Sequence, residues 1–149
     1  QMASSTNTAA VSAAQRKRDE AKHYMANGNL EGELQSLEEA VRLLSSTDTS
    51  LSLELYEARG DLLGTLVVAG RTAEAARVCE HVVAFLCIAL NHVPNHPLLG
   101  LQLFTLGDLY EAMRDDTKAQ ATFRWARDIL TVSQGTTSEM VQWLNEKIR

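Results

Sequence analysis

Five side chains in this sequence are of the types that bind zinc: Cys79, His81, Cys87, His92 and His96. A zinc site needs several such ligands converging on one point. Cys79 and Cys87 are about two helical turns apart and share a face, but His81 then points elsewhere. We therefore predict that the cysteines are core residues, because free cysteine packs as a small hydrophobic residue. His96 is expected to cap or pack at a helix start. No metal or cofactor is predicted.

The sequence carries none of the spacing patterns of enzymes that act by a nucleophile or on a nucleotide. It has no GxGxxG or P-loop, and no Ser-His-Asp, Cys-His or paired-carboxylate motif is indicated. The net charge of −5 disfavours nucleic acid as a partner, and no apolar run is long enough to cross a membrane. We predict a non-enzymatic protein that binds protein or peptide. Free cysteines favour the cytoplasm, with a nuclear pool as the alternative.

Apolar residues recur at helical spacing almost throughout the chain. Only two prolines and eight glycines interrupt its 149 residues, which favours long helices over a turn-rich β-sandwich. Seven helices are predicted. Ser50 is expected to cap the third, with Glu54 as a first-turn acid. Gly135 is expected to end the sixth, and Thr137 or Ser138 to cap the seventh.

The helices form three similar pairs, each built around a short turn. The predicted turns are Gly28-Asn29, Gly70-Arg71 and Arg114-Asp115. The large residue four positions before each turn is Tyr24, Leu66 or Tyr110. The residue five positions after it is Glu33, Ala75 or Ala119. This pattern resembles the tetratricopeptide repeat (TPR), which implies an all-α, right-handed α-solenoid of three TPR-like helix pairs plus a C-terminal capping helix.

The repeat predicts how the chain is divided. Residues 1–10 are expected to be a disordered lead-in or a cloning remnant, and residues 11–149 a single TPR-like helical domain. The repeat units are predicted over about 11–46, 50–91 and 96–133, and the capping helix over 137–148. Trp143 and Leu144 are among the residues expected to seat that last helix.

Two longer segments narrow the resemblance: HPLLGLQLFTLGDLY (His96–Tyr110) and KAQATFRWARDILTVSQG (Lys118–Gly135). They resemble the C-terminal helical domain of the SET-and-MYND (SMYD) lysine methyltransferases. That resemblance implies a regulatory domain that shapes access to a substrate cleft. Two cysteines are too few for a MYND zinc module, so the catalytic parts are absent from this sequence. Kinesin light chains are the second resemblance and imply a cargo adaptor.

In a TPR-like array the first helix of each pair lines a concave binding face. The resemblance places these partner-binding residues there: Arg18, Lys22, Met25, Glu57, Asp61, Val68, Leu101, Phe104, Thr105, Asp108 and Glu111. A chaperone clamp for a C-terminal carboxylate is not expected, because Asp61 would repel it. A groove that is basic at one end and acidic and apolar at the other suits a segment with basic and apolar residues, or the flank of a catalytic domain.

Overall fold

The computed structural model describes the backbone of residues 2–46 and 52–149, and the side chains of residues 8–46 and 52–149. The described residues form seven α-helices and no strand. The helices are α1 (Met2–Ala26), α2 (Leu30–Ser45), α3 (Leu53–Val68), α4 (Thr72–Ala89), α5 (Pro97–Ala112), α6 (Asp116–Gln134) and α7 (Glu139–Lys147). The predicted all-α class is confirmed for this part of the chain.

Two helix starts differ from the sequence-based expectation. Helix α1 begins at Met2, whereas a disordered lead-in or a cloning remnant was predicted over residues 1–10. The reason is composition, because this alanine-rich segment has no glycine or proline before Gly28 to stop a helix. The predicted cap Ser50 lies outside the described residues. Helix α3 is capped by Ser52, whose hydroxyl accepts from the Leu55 N–H at 3.2 Å.

The helices group into two compact units, with α1 to α3 in the first and α4 to α7 in the second. In the first unit α2 packs against both α1 and α3, around a core that includes Ala40, Leu44 and Ala58. In the second unit α5 packs against α4 and α6, and α7 packs against α6. The division between Arg71 and Thr72 falls inside the repeat predicted over residues 50–91. The single-domain interpretation of residues 11–149 therefore stays a prediction.

The three predicted turns share one backbone geometry. The residues with left-handed backbones are Gly28 (φ +69°), Gly70 (φ +73°) and Arg114 (φ +62°). The N–H of the next residue donates each time to the carbonyl of the large residue five positions earlier: Asn29 to Tyr24 at 2.8 Å, Arg71 to Leu66 at 3.0 Å, and Asp115 to Tyr110 at 2.9 Å. This is the Schellman arrangement that ends helices. It gives the repeat landmarks a common structural basis.

The third turn places an arginine where the other two have glycine. A left-handed backbone destabilises a residue with a Cβ by about 1–2 kcal/mol. Glycine avoids this strain, but its greater conformational freedom in the unfolded chain cancels part of the gain. We expect Arg114→Gly to raise the free energy of unfolding by about 0.5–1 kcal/mol, measured by urea denaturation. The matched control is Arg77→Gly on the exposed face of α4, which should instead lose about 1 kcal/mol. A loss in both variants would contradict the turn assignment.

Candidate functional site

A groove of about 580 Å³ lies in the first unit among α1, α2 and α3. Five of the predicted partner-binding residues line it: Arg18, Lys22, Met25, Asp61 and Val68. Its lining is mainly apolar. Met25 is 60% exposed and Val68 is 77% exposed. Large apolar side chains that face solvent around a concavity are typical of interaction sites.

An arginine of α1 forms ion pairs with two acidic residues of α3. Arg18 Nη2 lies 3.0 Å from Asp61 Oδ2, and Arg18 Nη1 lies 3.5 Å from Glu57 Oε2. The arginine side chain is only 17% exposed, so the pairs are less screened than those on an open surface. The single positive charge of Arg18 thus offsets part of the acidic end predicted for the groove.

The positive charge available for a partner is on Lys22, about one turn further along α1 than Arg18. Four charged residues line the groove: Arg18, Lys22, Glu33 and Asp61. Glu33 accepts a hydrogen bond from the Thr65 hydroxyl at 2.8 Å, and the Arg18 and Asp61 side chains bind each other. Among the described residues that line the groove, Lys22 is the charged side chain with no ionic or hydrogen-bonded partner.

Two further residues of the groove, Gly60 and Gly64, were missed by the sequence analysis. They are four residues apart in α3 and both line the groove. A Cβ built on either would meet nothing within 4 Å. Each glycine weakens the helix by about 1 kcal/mol relative to alanine. No other group of the described chain packs into the space beside either glycine. The sequence signal that could have identified them is the presence of two glycines inside one predicted helix.

The predicted partner-binding residues of α5 have a different environment, because α7 contacts three of them. The ring centroids of Phe104 and Trp143 are 4.7 Å apart. Lys147 Nζ lies 2.6 Å from Glu111 Oε1 and 3.7 Å from Asp108 Oδ1. Trp143 and Lys147 are four residues apart on one face of α7. Phe104, Asp108 and Glu111 therefore contact α7 within the second unit, and their assignment to an outside partner stays a prediction.

The remaining two predicted residues of α5 are Leu101, which is exposed, and Thr105, whose hydroxyl donates to the Leu101 carbonyl at 3.2 Å. Neither contributes to the groove of the first unit. The predicted seat of α7 is partly confirmed. Leu144 is fully buried, whereas Trp143 is 44% exposed and packs by its ring face.

Lys147, Asp108 and Glu111 form a cluster of charged side chains in the second unit. The pKa of Lys147 is raised, mainly by its hydrogen bond to Glu111, with the charges of Glu111 and Asp108 adding to it. Burial raises the pKa of Asp108, Glu111 adds to that rise, and Lys147 acts in the opposite direction. The ammonium also lies 5.0 Å from the ring centroid of Trp143. The cluster therefore favours the charged form of Lys147.

These shifts predict how stability depends on alkaline pH. The folded-state pKa of Lys147 is higher than the ordinary 10.5, so its stabilisation is complete below that pH and is lost as the pH rises through the raised value. We expect the wild type to lose more stability than Lys147→Met between neutral pH and the range above 10.5. Urea denaturation followed by tryptophan fluorescence measures this difference. Equal losses in both proteins would show that the cluster does not titrate as described.

The zinc-type side chains do not form a site in the described part of the chain. Burial raises the pKa of the Cys79 thiol to about 12 and also raises that of Cys87, so neither is a ready thiolate. His96 caps α5 as expected, because its Nδ1 accepts from the Leu98 N–H at 3.1 Å. No three His, Cys, Asp or Glu side chains among the described residues lie close enough to hold a metal ion. None of the described helices combines the length and apolarity that a bilayer crossing requires.

Comparison with known proteins identifies the fold. No family model and no curated protein matches this sequence. A solved structure of a candidate kinesin light chain from Podosopora anserina, with nearly identical TPR-like repeats, matches with a TM-score of 0.67, 19% identity and 90% of this chain covered. A variant of that protein matches with a TM-score of 0.69, again at 19% identity over 90% of the chain. The fold is that of a TPR-like helical repeat.

The TPR-like class confirms the fold prediction and leaves the family open. This chain covers 62% and 63% of the two neighbours, less than two thirds of their length. At 19% identity the likeness is one of fold alone. The neighbours are of the kinesin light chain type, which was the second resemblance, and the SMYD resemblance is not confirmed. TPR-like folds are usually non-catalytic and present surfaces that bind other proteins.

Proposed function

We propose that this chain is a non-catalytic protein-interaction domain that binds a segment of a partner protein in the groove of α1, α2 and α3. The observation that carries the proposal is the apolar groove itself, with Met25 and Val68 exposed beside it. Covering such side chains removes apolar area from water and favours association. The cytoplasm, with a nuclear pool as alternative, is the compartment we propose.

A protein segment suits this groove better than a small metabolite. Metabolite sites enclose their ligand and fix it with a few convergent polar groups. Here the polar groups are largely bound to one another, as Arg18 is to Asp61 and Glu33 is to Thr65. A cargo-adaptor role, which the type of the neighbours suggests, would be a special case of this function. A regulatory role beside a methyltransferase domain stays a prediction from the sequence motifs.

Site-specific photo-crosslinking tests the proposal. A photoreactive amino acid replaces Val68, which lines the groove, or Gln35, which is exposed on α2 away from it. Each variant is irradiated in a lysate of the source cells, and adducts are identified by mass spectrometry. We expect protein adducts from position 68 that do not form from position 35. The same adducts from both positions, or none from position 68, would refute the groove as the binding site.

A further inference from the structure

The internal repeat allows the residues around the groove of the first unit to be compared with the equivalent residues of the second unit. Superimposing the first turn on the third by sequence pairs three positions of the two units: Lys22 with Asp108, Leu37 with Phe123, and Asp61 with Lys147. Each unit can therefore be compared with an internal reference that has the same helix pair. The comparison concerns the contacts inside each unit.

In the second unit the residues at these three positions lie close to one another. Lys147 Nζ lies 5.7 Å from the ring centroid of Phe123 and 3.7 Å from Asp108 Oδ1. The alkyl chain of Lys147 and the Phe123 ring together supply apolar volume. Its ammonium supplies the charge opposite to Asp108.

In the first unit the same positions supply less apolar volume and give Lys22 no opposite charge. Leu37 is smaller than phenylalanine, and the short side chain of Asp61 bonds to Arg18 at 3.0 Å. The space remains open as the groove of about 580 Å³. Lys22 lines it without the carboxylate that a cation at this position would attract. The missing occupant therefore combines apolar volume with a negative charge.

The α3 side of the groove limits the shape of that occupant. Gly60 and Gly64 expose about one turn of bare helix backbone to the groove, with nothing within 4 Å of either Cβ position. Two helices approach each other most closely where small residues recur every four positions. A partner helix with alanine or glycine on its contact face can therefore lie against α3. A helix also pairs its own backbone N–H and C=O groups, for which the apolar lining offers few partners.

We propose that the groove binds an amphipathic helix of a partner protein, which places small side chains on Gly60 and Gly64 and a carboxylate against Lys22. This inference rests on the proposed function and adds the chemistry of the partner to it. It reverses the expectation from the sequence, which favoured a basic segment. The reason is that Arg18 already pairs with Asp61 and Glu57. Glu33 accepts a hydrogen bond from Thr65, so Lys22 is the charged side chain, among the described residues of the groove, that has no partner.

A display library tests the proposal. The probe is a phage-displayed library of alanine-based helices of about 20 residues, long enough to form in isolation, with the positions of one face randomised. The baits are the wild-type chain, Lys22→Glu and the double variant Gly60→Ala/Gly64→Ala. A further bait, Arg42→Glu, is the control, because it makes the same charge change on an exposed part of α2 outside the groove.

We expect the wild-type bait to select helices with Asp or Glu at one fixed position and Ala or Gly one turn away. A synthetic peptide of the selected sequence should bind Lys22→Glu about tenfold more weakly, and a peptide with Lys in place of its acid should restore that binding. Arg42→Glu should bind like the wild type. The glycine double variant should lose binding although its helix is more stable, so that loss cannot be attributed to unfolding.

The outcomes separate this inference from the proposed function. Peptides that fail on the glycine double variant but bind Lys22→Glu normally would overturn the carboxylate and leave the groove as the binding site. Peptides that bind all four baits equally would overturn the helix-in-groove inference, since they bind elsewhere. No selection above the level of the double variant would overturn it too. In the last two cases the crosslinking at position 68 decides the proposed function independently.

Discussion

Replacing Gly107 with alanine is expected to lower the free energy of unfolding by about 2 kcal/mol, as overpacking of up to about 3 kcal/mol exceeds a helix-propensity gain of about 1 kcal/mol. A Cβ at this position would lie 2.5 Å from the ring of Phe123. That ring is fully buried, with Phe104 at 6.3 Å between centroids and Lys147 over its face. It has no free space to move into, so α5 and α6 would have to separate.

The same substitution elsewhere provides matched controls. Gly64→Ala should raise the free energy of unfolding by about 1 kcal/mol, since its Cβ meets nothing within 4 Å. Gly32→Ala also places a Cβ 2.5 Å from a ring, that of Tyr24, but this ring is 38% exposed and can rotate outward. Its effect should lie between the other two.

Urea denaturation followed by circular dichroism and by tryptophan fluorescence measures all three variants. The only two tryptophans of the sequence, Trp125 and Trp143, lie in the second unit. The fluorescence therefore reports on the unit that Gly107→Ala should weaken. A neutral effect of Gly107→Ala, with Gly64→Ala stabilising as expected, would mean that α5 and α6 are not as closely packed as described.

Truncating Leu144 to alanine is expected to release α7 from the second unit, at a cost of about 2–5 kcal/mol in its docking. Leu144 is fully buried, and α7 has nine residues, too few to stay helical alone. Loss of the anchor should also free Asp108 and Glu111 from Lys147. Hydrogen exchange across residues 139–147 should rise strongly.

The control for this variant is Gln142→Ala, an exposed position of the same helix. It should leave hydrogen exchange of α7 unchanged. Fluorescence of Trp143 provides a second readout, because undocking removes its ring from Phe104. If Leu144→Ala keeps the protection of α7, Leu144 is not needed to dock the helix, and Val141, Trp143 and Lys147 hold it in place.

Much of the fold could be predicted from local sequence signals. Gly28 and Gly70 adopt the left-handed backbone that ends helices, and His96 and Ser138 cap the helices they were expected to cap. These signals are readable because each depends on residues within one turn of chain. The start of α1 was missed because this polar, alanine-rich segment carries no local signal that marks where the helix begins.

The surroundings of the predicted partner-binding residues could be predicted less well, because they depend on contacts between distant residues. The resemblance to the tetratricopeptide repeat placed Arg18 and Asp61 on one face, but only the tertiary structure joined them at 3.0 Å and left Lys22 without a partner among the described residues of the groove. Likewise, the resemblance assigned three residues of α5 to a binding face, and residues of α7 contact all three: Phe104, Asp108 and Glu111. Pairing of charges is decided by distance in space, which sequence spacing does not report.

The sequence by itself predicted seven helices, the caps His96 and Ser138 and the three turns, since these follow from the conformational preferences of a few neighbouring residues. It did not distinguish Gly107 from Gly64, two glycines in helix interiors. The first lies against the ring of Phe123 and the second faces the open groove. Only the tertiary structure decided which glycine closes a core and which leaves a site, because that depends on what the fold places opposite each one.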